Sequence, residues 1–246
     1  MIVAILIGRR ESKGFPGKNT ALIGGRPLLA YPLMAALAVT DIDQIIVCTD
    51  DETIGEYVRA TNMPPLLGGR VSVIGRPRYL CTDEAQAGEV YQFAYDDVRI
   101  QDTSTRKDIE LLVLLMCNAP MITPVQIQQG IAALRDDPTL DSAITVSAYN
   151  MFSPARARYL DTQGLLRPMV QLQGATCDRN STGDVWFCDF GAVIVRPRCL
   201  EKLDGLPPQT WMGHRIYPLK QWGGFDVDYD WQVPHVEHWL KKHGLS

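Results

Sequence analysis

Directly after Met1 the chain contains the stretch Ile2-Val3-Ala4-Ile5-Leu6-Ile7, in which no polar residue interrupts the apolar ones. Such a run is typical of a parallel strand that is covered on both faces of its sheet. Short apolar runs of the same kind recur at Gln44–Cys48, Glu110–Met116 and Ser142–Val146. The four runs predict strands of a mostly parallel sheet.

Segments with helical periodicity lie between and after these runs. Apolar residues recur there at three- and four-residue spacing, as an amphipathic crossover helix requires, in Pro27–Val39, Glu52–Ala60, Asp83–Val98 and Pro124–Leu134. The alternation of strands and helices predicts an α/β fold, Rossmann-like, with three layers and a mostly parallel sheet. We expect one domain over residues 1–246, because a chain of this length can bury a full core.

The regular alternation fades after about Tyr149. A stretch rich in Arg, Gln, Gly and Asn then precedes a predicted apolar strand at Val185–Val195. We expect an inserted arm or lid at about Ser153–Thr182. An amphipathic helix is predicted at about Val233–Lys242, near the end of the sequence.

Composition excludes several classes of protein. The formal net charge of −4 leaves no broad cationic face for a nucleic-acid backbone, so we expect no nucleic-acid partner. The apolar stretches are far shorter than the ~20 residues of a membrane span, and the first lacks the charged segment that precedes a signal peptide's apolar run. The six cysteines lie far apart without a C-x-x-C pair, and several sit in apolar runs typical of buried thiols, so we expect reduced, structural cysteines. We therefore expect a cytoplasmic protein without membrane contact.

The predicted first strand leads into the loop Gly8-Arg9-Arg10-Glu11-Ser12-Lys13-Gly14-Phe15-Pro16-Gly17-Lys18-Asn19. Ligands of open α/β sheets bind beyond the carboxyl ends of the strands, where this loop lies. Its glycines let backbone N–H groups approach an anion, and its four cations can neutralise a triphosphate: Arg9, Arg10, Lys13 and Lys18. The loop is predicted to bind phosphates; the alternative is a solvated basic loop that binds nothing.

Two common phosphate-binding motifs are absent from this loop. A Walker A motif needs glycine where the chain has Ser12, and serine or threonine where it has Asn19. The G-x-G-x-x-G fingerprint of dinucleotide-binding folds is missing as well. The loop is therefore not that of a P-loop NTPase.

The segment Ser12–Asn19, followed by Ile23-Gly24-Gly25-Arg26-Pro27-Leu28, resembles the opening signature of the acylneuraminate cytidylyltransferases. These are the CMP-sialic acid synthetases and their relatives for similar sugar acids. The resemblance implies a fold of the nucleotide-diphospho-sugar transferase type, in which the loop wraps the triphosphate of CTP. It also implies that Arg9 and Lys18 hold phosphates as catalytic residues, and that Asn19 lies near the nucleoside.

Two later segments match the family in the same order. Val47-Cys48-Thr49-Asp50-Asp51 with Ile54 is similar to its second-strand ending, and Arg76-Pro77 with Leu80 and Asp83 is similar to its RP-x-x-L-x-x-D segment. The resemblance assigns the base and the ribose to three residues in and after the second segment: Arg76, Ala85 and Ala87. A guanidinium group offers a rigid fork of donors for a pyrimidine carbonyl or a ribose oxygen, although a surface arginine before a loop proline is the alternative.

Carboxylates alternate with other residues in Gly223-Gly224-Phe225-Asp226-Val227-Asp228-Tyr229-Asp230-Trp231. In an extended segment the three aspartates point to one side, where a cation relieves their repulsion. Mg²⁺ suits one or two carboxylates together with phosphate oxygens and waters. The family's closing Asp-x-Asp pair assigns the metal by resemblance to Asp226 and Asp228. Asp230 is a candidate cap for the following helix, and an acidic surface turn is the alternative.

The resemblance implies transfer of CMP from CTP to the anomeric hydroxyl of a 2-keto sugar acid, with release of pyrophosphate. The acceptor's carboxylate needs a cationic partner, for which Arg179 and Lys220 are candidates; both could equally be rim charges. Arg179 stands about a dozen residues before the position of the family's Asn-Gly strand, where this chain has Phe190-Gly191. No histidine lies in a recognisable motif, so no general base is identified.

The acceptor half departs from the family pattern. Met116 stands in place of a glutamine associated with the sugar, and a thioether cannot make the hydrogen bonds of an amide. Sialic, legionaminic, pseudaminic and octulosonic acids all remain open as acceptors. The alternatives are another sugar- or polyol-phosphate nucleotidyltransferase and a non-catalytic CTP-binding module. Family members commonly pair through an extension like the expected arm, which implies a homodimer.

Overall fold

A computed structural model describes residues 1–61, 69–101 and 108–245 of the chain. Its strands, in chain order, are β1 (Ile2–Gly8), β2 (Leu22–Ile23), β3 (Arg26–Pro27), β4 (Gln44–Thr49), β5 (Val71–Gly75), β6 (Leu111–Met116), β7 (Ser142–Ala148), β8 (Arg158–Leu160), β9 (Leu166–Pro168), β10 (Trp186–Val195) and β11 (Ile216–Gln221). Its helices are α1 (Ala30–Leu37), α2 (Glu52–Thr61), α3 (Ala87–Gln101), α4 (Pro124–Asp136), α5 (Pro197–Lys202) and α6 (Val233–Lys242).

Seven of the strands form one central sheet in the order β11-β7-β10-β6-β1-β4-β5. All neighbours pair in parallel except β10, which is antiparallel to both β6 and β7. The predicted mostly parallel α/β sheet is therefore confirmed. The sequence predicted β10 as a strand but did not predict its reversed direction.

Two apolar clusters cover the two faces of the sheet and give the molecule its three layers. One cluster contains side chains of α1, α2 and α4, for example Leu33, Ile54 and Ile131. The other contains side chains of α3 and α5, for example Tyr91 and Leu200. Burial of these side chains is the main force that holds the helices on the sheet.

Some predicted boundaries are corrected by the structure. Helix α1 begins at Ala30, because Arg26–Pro27 forms a short hairpin with Leu22–Ile23. Helix α3 begins at Ala87 instead of Asp83. The final helix, α6, has the predicted bounds Val233–Lys242.

The segment expected as an arm lies between β7 and β10 and contains the hairpin of β8 and β9, which pairs outside the main sheet. Every residue of both strands is exposed. Apolar side chains on and beside this hairpin are exposed to solvent: Tyr159, Leu160, Leu165, Leu166, Met169, Val170 and Leu172. Among the described helices, none is long and apolar enough to cross a membrane.

Candidate functional site

The loop after β1 lines an open cleft of about 240 Å³ at the carboxyl ends of β1 and β6. Residues from distant parts of the chain share its wall: Ile7, Gly8, Arg9, Lys18, Asn19, Arg76, Thr82, Asp83, Ala85, Ala87, Met116, Asn118 and Asp228. A second cleft of about 530 Å³ adjoins it and is lined by Arg10 and Lys13 together with Arg9, Thr82 and Asp83. The structure thus brings the predicted nucleotide-binding residues to one place.

The Lys18 side chain crosses from the basic loop to the acidic loop near the C-terminus. Its Nζ donates to Asp228 Oδ1 at 2.7 Å and to the Val227 carbonyl oxygen at 2.6 Å. The side chain is only 11% exposed. Because little water screens this ammonium group, it interacts more strongly with an anion in the cleft than a solvated lysine would.

The shape of the basic loop depends on Asn19 and two glycines. Asn19 is buried, and its Nδ2 donates to the Arg9 carbonyl oxygen at 2.9 Å. Gly17 has a φ of 69°, in the left-handed region that favours glycine. A Cβ on Gly14 would lie 2.4 Å from the Asp228 carbonyl oxygen, so the two loops approach too closely for a larger residue. Asn19 thus braces the loop at the edge of the cleft.

Asp83 holds two of the loop's cations. Arg9 Nη1 donates to Asp83 Oδ1 at 2.9 Å, and Lys13 forms an ion pair with the same carboxylate. Hydrogen bonds from Lys13 and then Arg9 hold the pKa of Asp83 below its usual range. Asp83 belongs to the RP-x-x-L-x-x-D segment, but no sequence pattern predicted its pairing with Arg9, which lies 74 residues away.

Arg10 and the base-side residues occupy the remaining walls. The Arg10 backbone N–H donates to Asp50 Oδ1 at 2.9 Å. Arg76 follows β5 and donates through Nε to the Leu80 carbonyl oxygen at 2.7 Å, which fixes the guanidinium plane. Partial burial lowers the pKa of Arg76. Ala85 and Ala87 line the same cleft, where their small side chains leave room for a ligand.

The two predicted metal-binding aspartates lie in an extended loop without regular strand structure. Burial raises the pKa of Asp226, and the negative charge of Asp228 raises it further. Asn118 Nδ2 donates to Asp226 Oδ2 at 3.3 Å, and the Val227 N–H donates to the Asn118 carbonyl oxygen at 2.7 Å. Val227 itself is fully buried. The hydrogen bond to Asn118 and the burial of Val227 therefore fix the backbone between Asp226 and Asp228.

This donor set fits Mg²⁺. Two carboxylates that repel each other in a partly buried site, beside the amide group of Asn118, match the oxygen ligands that this ion accepts. Within the described ranges no group of three or more His, Cys, Asp or Glu residues could hold a metal, as a zinc site would require. Asn118 was not predicted as a site residue, although a polar residue that closely follows a buried strand is a signal for one.

The expected cap at Asp230 is wrong. Asp230 is the first residue of a short 3-10 turn, Asp230–Gln232. Gln232 performs the capping instead, since its Oε1 accepts hydrogen bonds from the backbone N–H groups of Asp228 and Tyr229 at 2.7 and 2.8 Å. This side chain therefore also fixes the loop that carries Asp228.

The two predicted acceptor cations do not reach the cleft. Arg179 lies in an exposed part of the arm segment. Lys220 lies on the edge strand β11, with its Nζ 4.6 Å from the centre of the Trp186 ring. Neither residue lines either cleft, so the structure gives no geometric support for their predicted role. Among the histidines, His235 on α6 forms a hydrogen bond between its Nε2 and the Gly223 carbonyl oxygen at 2.8 Å, and it does not line either cleft.

Comparison with known proteins identifies related sequences and folds. Residues 3–71 match the sequence model of a family described as cytidylyltransferase. The 3-deoxy-manno-octulosonate cytidylyltransferase of Geotalea daltonii is 30% identical over 139 residues, which are 56% of this chain and 47% of that protein. The N-acylneuraminate cytidylyltransferase of Escherichia coli is 28% identical over 194 residues, 79% of this chain and 42% of that protein. This chain thus spans about half the length of the curated relatives it matches.

A solved structure has the same fold over nearly the whole chain. It is a CMP:2-keto-3-deoxy-manno-octonic acid synthetase complexed with CTP, with a TM-score of 0.67 and 17% sequence identity. The alignment covers 98% of this chain and 99% of the other. The similarity supports the predicted fold type.

Proposed function

We propose that this chain, which is similar to cytidylyltransferases, transfers CMP from CTP to the anomeric hydroxyl of a 2-keto sugar acid and releases pyrophosphate. The observation that carries this proposal is the convergence of the basic loop and the Asp226–Asp228 loop on one cleft, where Lys18 contacts Asp228. A phosphate-binding loop beside a pair of carboxylates is what metal-assisted nucleotidyl transfer needs.

In this proposal the nucleotide lies along the walls of the two adjoining clefts. The triphosphate would be held by the cations of the basic loop: Arg9, Arg10, Lys13 and Lys18. The base and the ribose would lie against Arg76, Ala85 and Ala87. Asp83 pairs with Arg9 and Lys13, so a triphosphate must compete with this carboxylate for both cations.

Positioning and charge neutralisation supply the catalysis in this proposal. Arg9 and Lys18 would stabilise charge on the phosphoryl oxygens, and an opposite charge at 4 Å is worth about 4 kcal/mol at an effective dielectric of ~20. Asp226 and Asp228 would hold Mg²⁺ with the help of Asn118. When bound, Mg²⁺ neutralises charge on the phosphates and orients them. Asn19 keeps the loop in the shape that these contacts need.

The acceptor in this proposal is a sialic, legionaminic, pseudaminic or octulosonic acid. Met116 lines the cleft, where its thioether offers a sugar hydroxyl only a weak hydrogen-bond acceptor. Among the described residues that line the two clefts there is no histidine, so the proposal assigns no imidazole as general base.

We also propose that two copies of the chain pair through the exposed hairpin of β8 and β9. Its exposed apolar side chains form a surface that a monomer would leave in water. A homodimer would cover them.

A cytoplasmic location fits the six cysteines, which are all free thiols in the structure.

Pyrophosphate release tests the proposed reaction. The purified protein is incubated with Mg²⁺, each of the four NTPs and a panel of eight- and nine-carbon ulosonic acids. The proposal predicts release with CTP and with one acid. Asp228→Asn is the matched control and should release none. Absence of release across the panel, despite tight CTP binding, would favour a non-catalytic CTP-binding module.

A further inference from the structure

A buried carboxylate lies behind the acidic loop, outside both clefts. Asp189 is only 3% exposed, and it lies in β10 where the pairing with β7 shifts register between Cys188 and Val193. The next residue, Phe190, has a φ of 54°, a left-handed conformation that costs a side chain about 1 kcal/mol or more. The backbone is therefore held in an unfavourable shape at the point where Asp189 turns inward.

Neutral donors from three strands satisfy this carboxylate. Ser147 Oγ and Gln221 Nε2 donate to Asp189 Oδ2 at 2.8 and 2.9 Å, and the Gly191 N–H donates to Oδ1 at 3.3 Å. Ser147 belongs to β7 and Gln221 ends β11. A buried carboxylate is tolerated only with such partners, so these bonds fix the relative positions of the three strand ends.

The same group of side chains holds Gly224 on both sides. The Gly224 N–H donates to Ser147 Oγ at 2.9 Å, and Tyr149 Oη donates to the Gly224 carbonyl oxygen at 3.0 Å. A Cβ on Gly224 would lie 2.6 Å from Asp189 Oδ2 and 2.4 Å from Gln221 Nε2. The turn after β11 is thus packed directly against the Asp189 carboxylate.

Gly224 lies two residues before Asp226, and Val227 lies one residue after it. Val227 is anchored by the Asn118 carbonyl oxygen, as described above. The backbone is therefore held on both sides of Asp226. Asn118 holds it at Val227, and the side chains around Asp189 hold it at Gly224. Loss of the contacts with Asp189 would free the backbone on the Gly224 side of Asp226. The hydrogen bond from Asn19 to Arg9, which shapes the basic loop, would remain.

We infer that Asp189 is a positioning residue, which fixes the Gly223–Gly224 turn and thereby sets the geometry in which Asp226 and Asp228 bind a divalent cation. The inference deepens the proposed function and rests on it. Asp189 does not touch the ligand itself, since it lines neither cleft. Its hydrogen bonds hold the turn before the acidic loop, whereas the basic loop is braced by Asn19, and Asp83 holds its cations Arg9 and Lys13.

The experiment measures Mn²⁺ binding by electron paramagnetic resonance in the presence of CTP, and CTP binding without metal by calorimetry. Asp189→Asn keeps the side-chain shape but replaces one acceptor oxygen by an NH₂ group, so the amide cannot accept hydrogen bonds at both positions where the carboxylate accepts them. The dissociation constant for Mn²⁺ should rise about 10-fold or more, as it does when supports of metal ligands are removed. The affinity for CTP alone should stay within about two-fold of the wild type.

Asp141→Asn is the matched control, because Asp141 precedes β7 and lies at the opposite end of the same strands. Its Oδ2 accepts from the N–H groups of His214 and Arg215 at 2.8 and 2.9 Å, just before β11 begins. This variant should lose thermal stability, because backbone donors lose their carboxylate. Its Mn²⁺ affinity should match that of the wild type.

Three results would overturn the inference. An unchanged Mn²⁺ affinity in folded Asp189→Asn is the first. The second is an equal loss of metal and CTP binding in both variants, which would show a merely structural role. If Asp189→Asn does not fold, Ser147→Ala removes only the hydroxyl between Asp189 and Gly224, and an unchanged Mn²⁺ affinity there is the third. Wild-type protein that binds neither CTP nor Mn²⁺ would reject the proposed function itself, and the inference with it.

Discussion

Lys18 and Asp228 form an ion pair, with 2.7 Å between Nζ and Oδ1, although 210 residues separate them in the chain. The pair joins the loop after the central strand β1 to the loop that follows the edge strand β11. The Val227 carbonyl oxygen accepts a second hydrogen bond from the same ammonium group. The cation proposed for the phosphates and a carboxylate proposed for the metal therefore lie side by side.

Replacement of Lys18 by methionine should abolish most of the activity while keeping the length of the side chain. A charge contact worth about 4 kcal/mol corresponds to a rate loss of about 1000-fold, and partial solvation reduces this to about 100-fold or more. Steady-state pyrophosphate release gives kcat/KM for CTP. Lys202→Met, on the exposed surface of α5, is the control and should stay within about two-fold. A small loss in Lys18→Met would contradict the catalytic role.

Asp226→Asn should lower turnover about 100-fold or more, because a carboxylate ligand is lost, and should stabilise the metal-free protein at neutral pH. The stabilisation follows from burial and the nearby charge of Asp228, which raise the pKa of Asp226. Asparagine has no charge at this position, so it avoids both the cost of burying the Asp226 carboxylate and its repulsion from Asp228. Thermal melts at pH 7 with a chelator measure the change, and a lower melting temperature would contradict this explanation.

The pH dependence of the wild type gives an independent check on the same carboxyl group. A carboxyl whose pKa is higher in the folded than in the unfolded protein favours folding below the unfolded-state value, near 3.9. This contribution is lost as the pH rises through the folded-state pKa. The melting-temperature gain of metal-free Asp226→Asn over the wild type should therefore be larger at pH 7 than at pH 4. An equal gain at both values would show that charge is not the cause.

Gly14→Ala should weaken CTP binding about 10-fold, because the added Cβ would meet the Asp228 carbonyl oxygen at 2.4 Å and push the two loops apart. Gly75→Ala is the matched control, since its Cβ would meet no atom of the described residues within 4 Å. Isothermal titration with CTP compares the two variants. Equal affinities would show that the contact between the loops does not shape the binding site.

Asn19→Ala should cost about 1 kcal/mol of the free energy of unfolding, because the partly buried Arg9 carbonyl oxygen loses its donor. The loop should then hold Arg9 and Lys18 less firmly, so KM for CTP should rise. Denaturant unfolding measures the first effect. Thr20→Ala, whose hydroxyl bonds the Gly17 carbonyl oxygen within the same turn, should cost less. A larger loss in Thr20→Ala would contradict the bracing role of Asn19.

Light scattering after size exclusion should show a species of about twice the 27.4 kDa chain mass at micromolar concentration. Leu160 and Leu166, paired across the hairpin, are 67% and 69% exposed. Their double replacement by lysine should give a monomer with an unchanged melting temperature, because neither side chain supports the core. Ile100→Lys, an equally exposed apolar site on α3, should remain dimeric. A monomeric wild type would remove the proposed role of the arm.

Sequence patterns predicted those parts of the fold that depend on local burial. Strands β1, β4, β6 and β7 are buried on both faces, so their apolar runs identify them. Strand β11 was missed because it forms an edge, where proline and exposed polar residues break the run. Strand β5, which forms the other edge, has only one fully buried residue, Val71.

The candidate site divides in the same way. The cations of the basic loop are sequence neighbours after a strand, so position and charge predicted them. The pairing of Asp83 with Arg9 and the anchoring of Gly224 by Asp189 arise only when distant strand ends meet, so no local pattern contains them. Arg179 failed to reach the cleft because the path of an exposed insertion is not set by core burial.

Mass spectrometry of the product formed from CTP and a ulosonic acid is the most direct test of the central claim. The account predicts CMP joined through its single phosphate to the intact acid, formed together with one equivalent of pyrophosphate and absent in Asp228→Asn. A product that carries two phosphates between cytidine and a sugar or polyol, formed only from a phosphorylated acceptor, would contradict it.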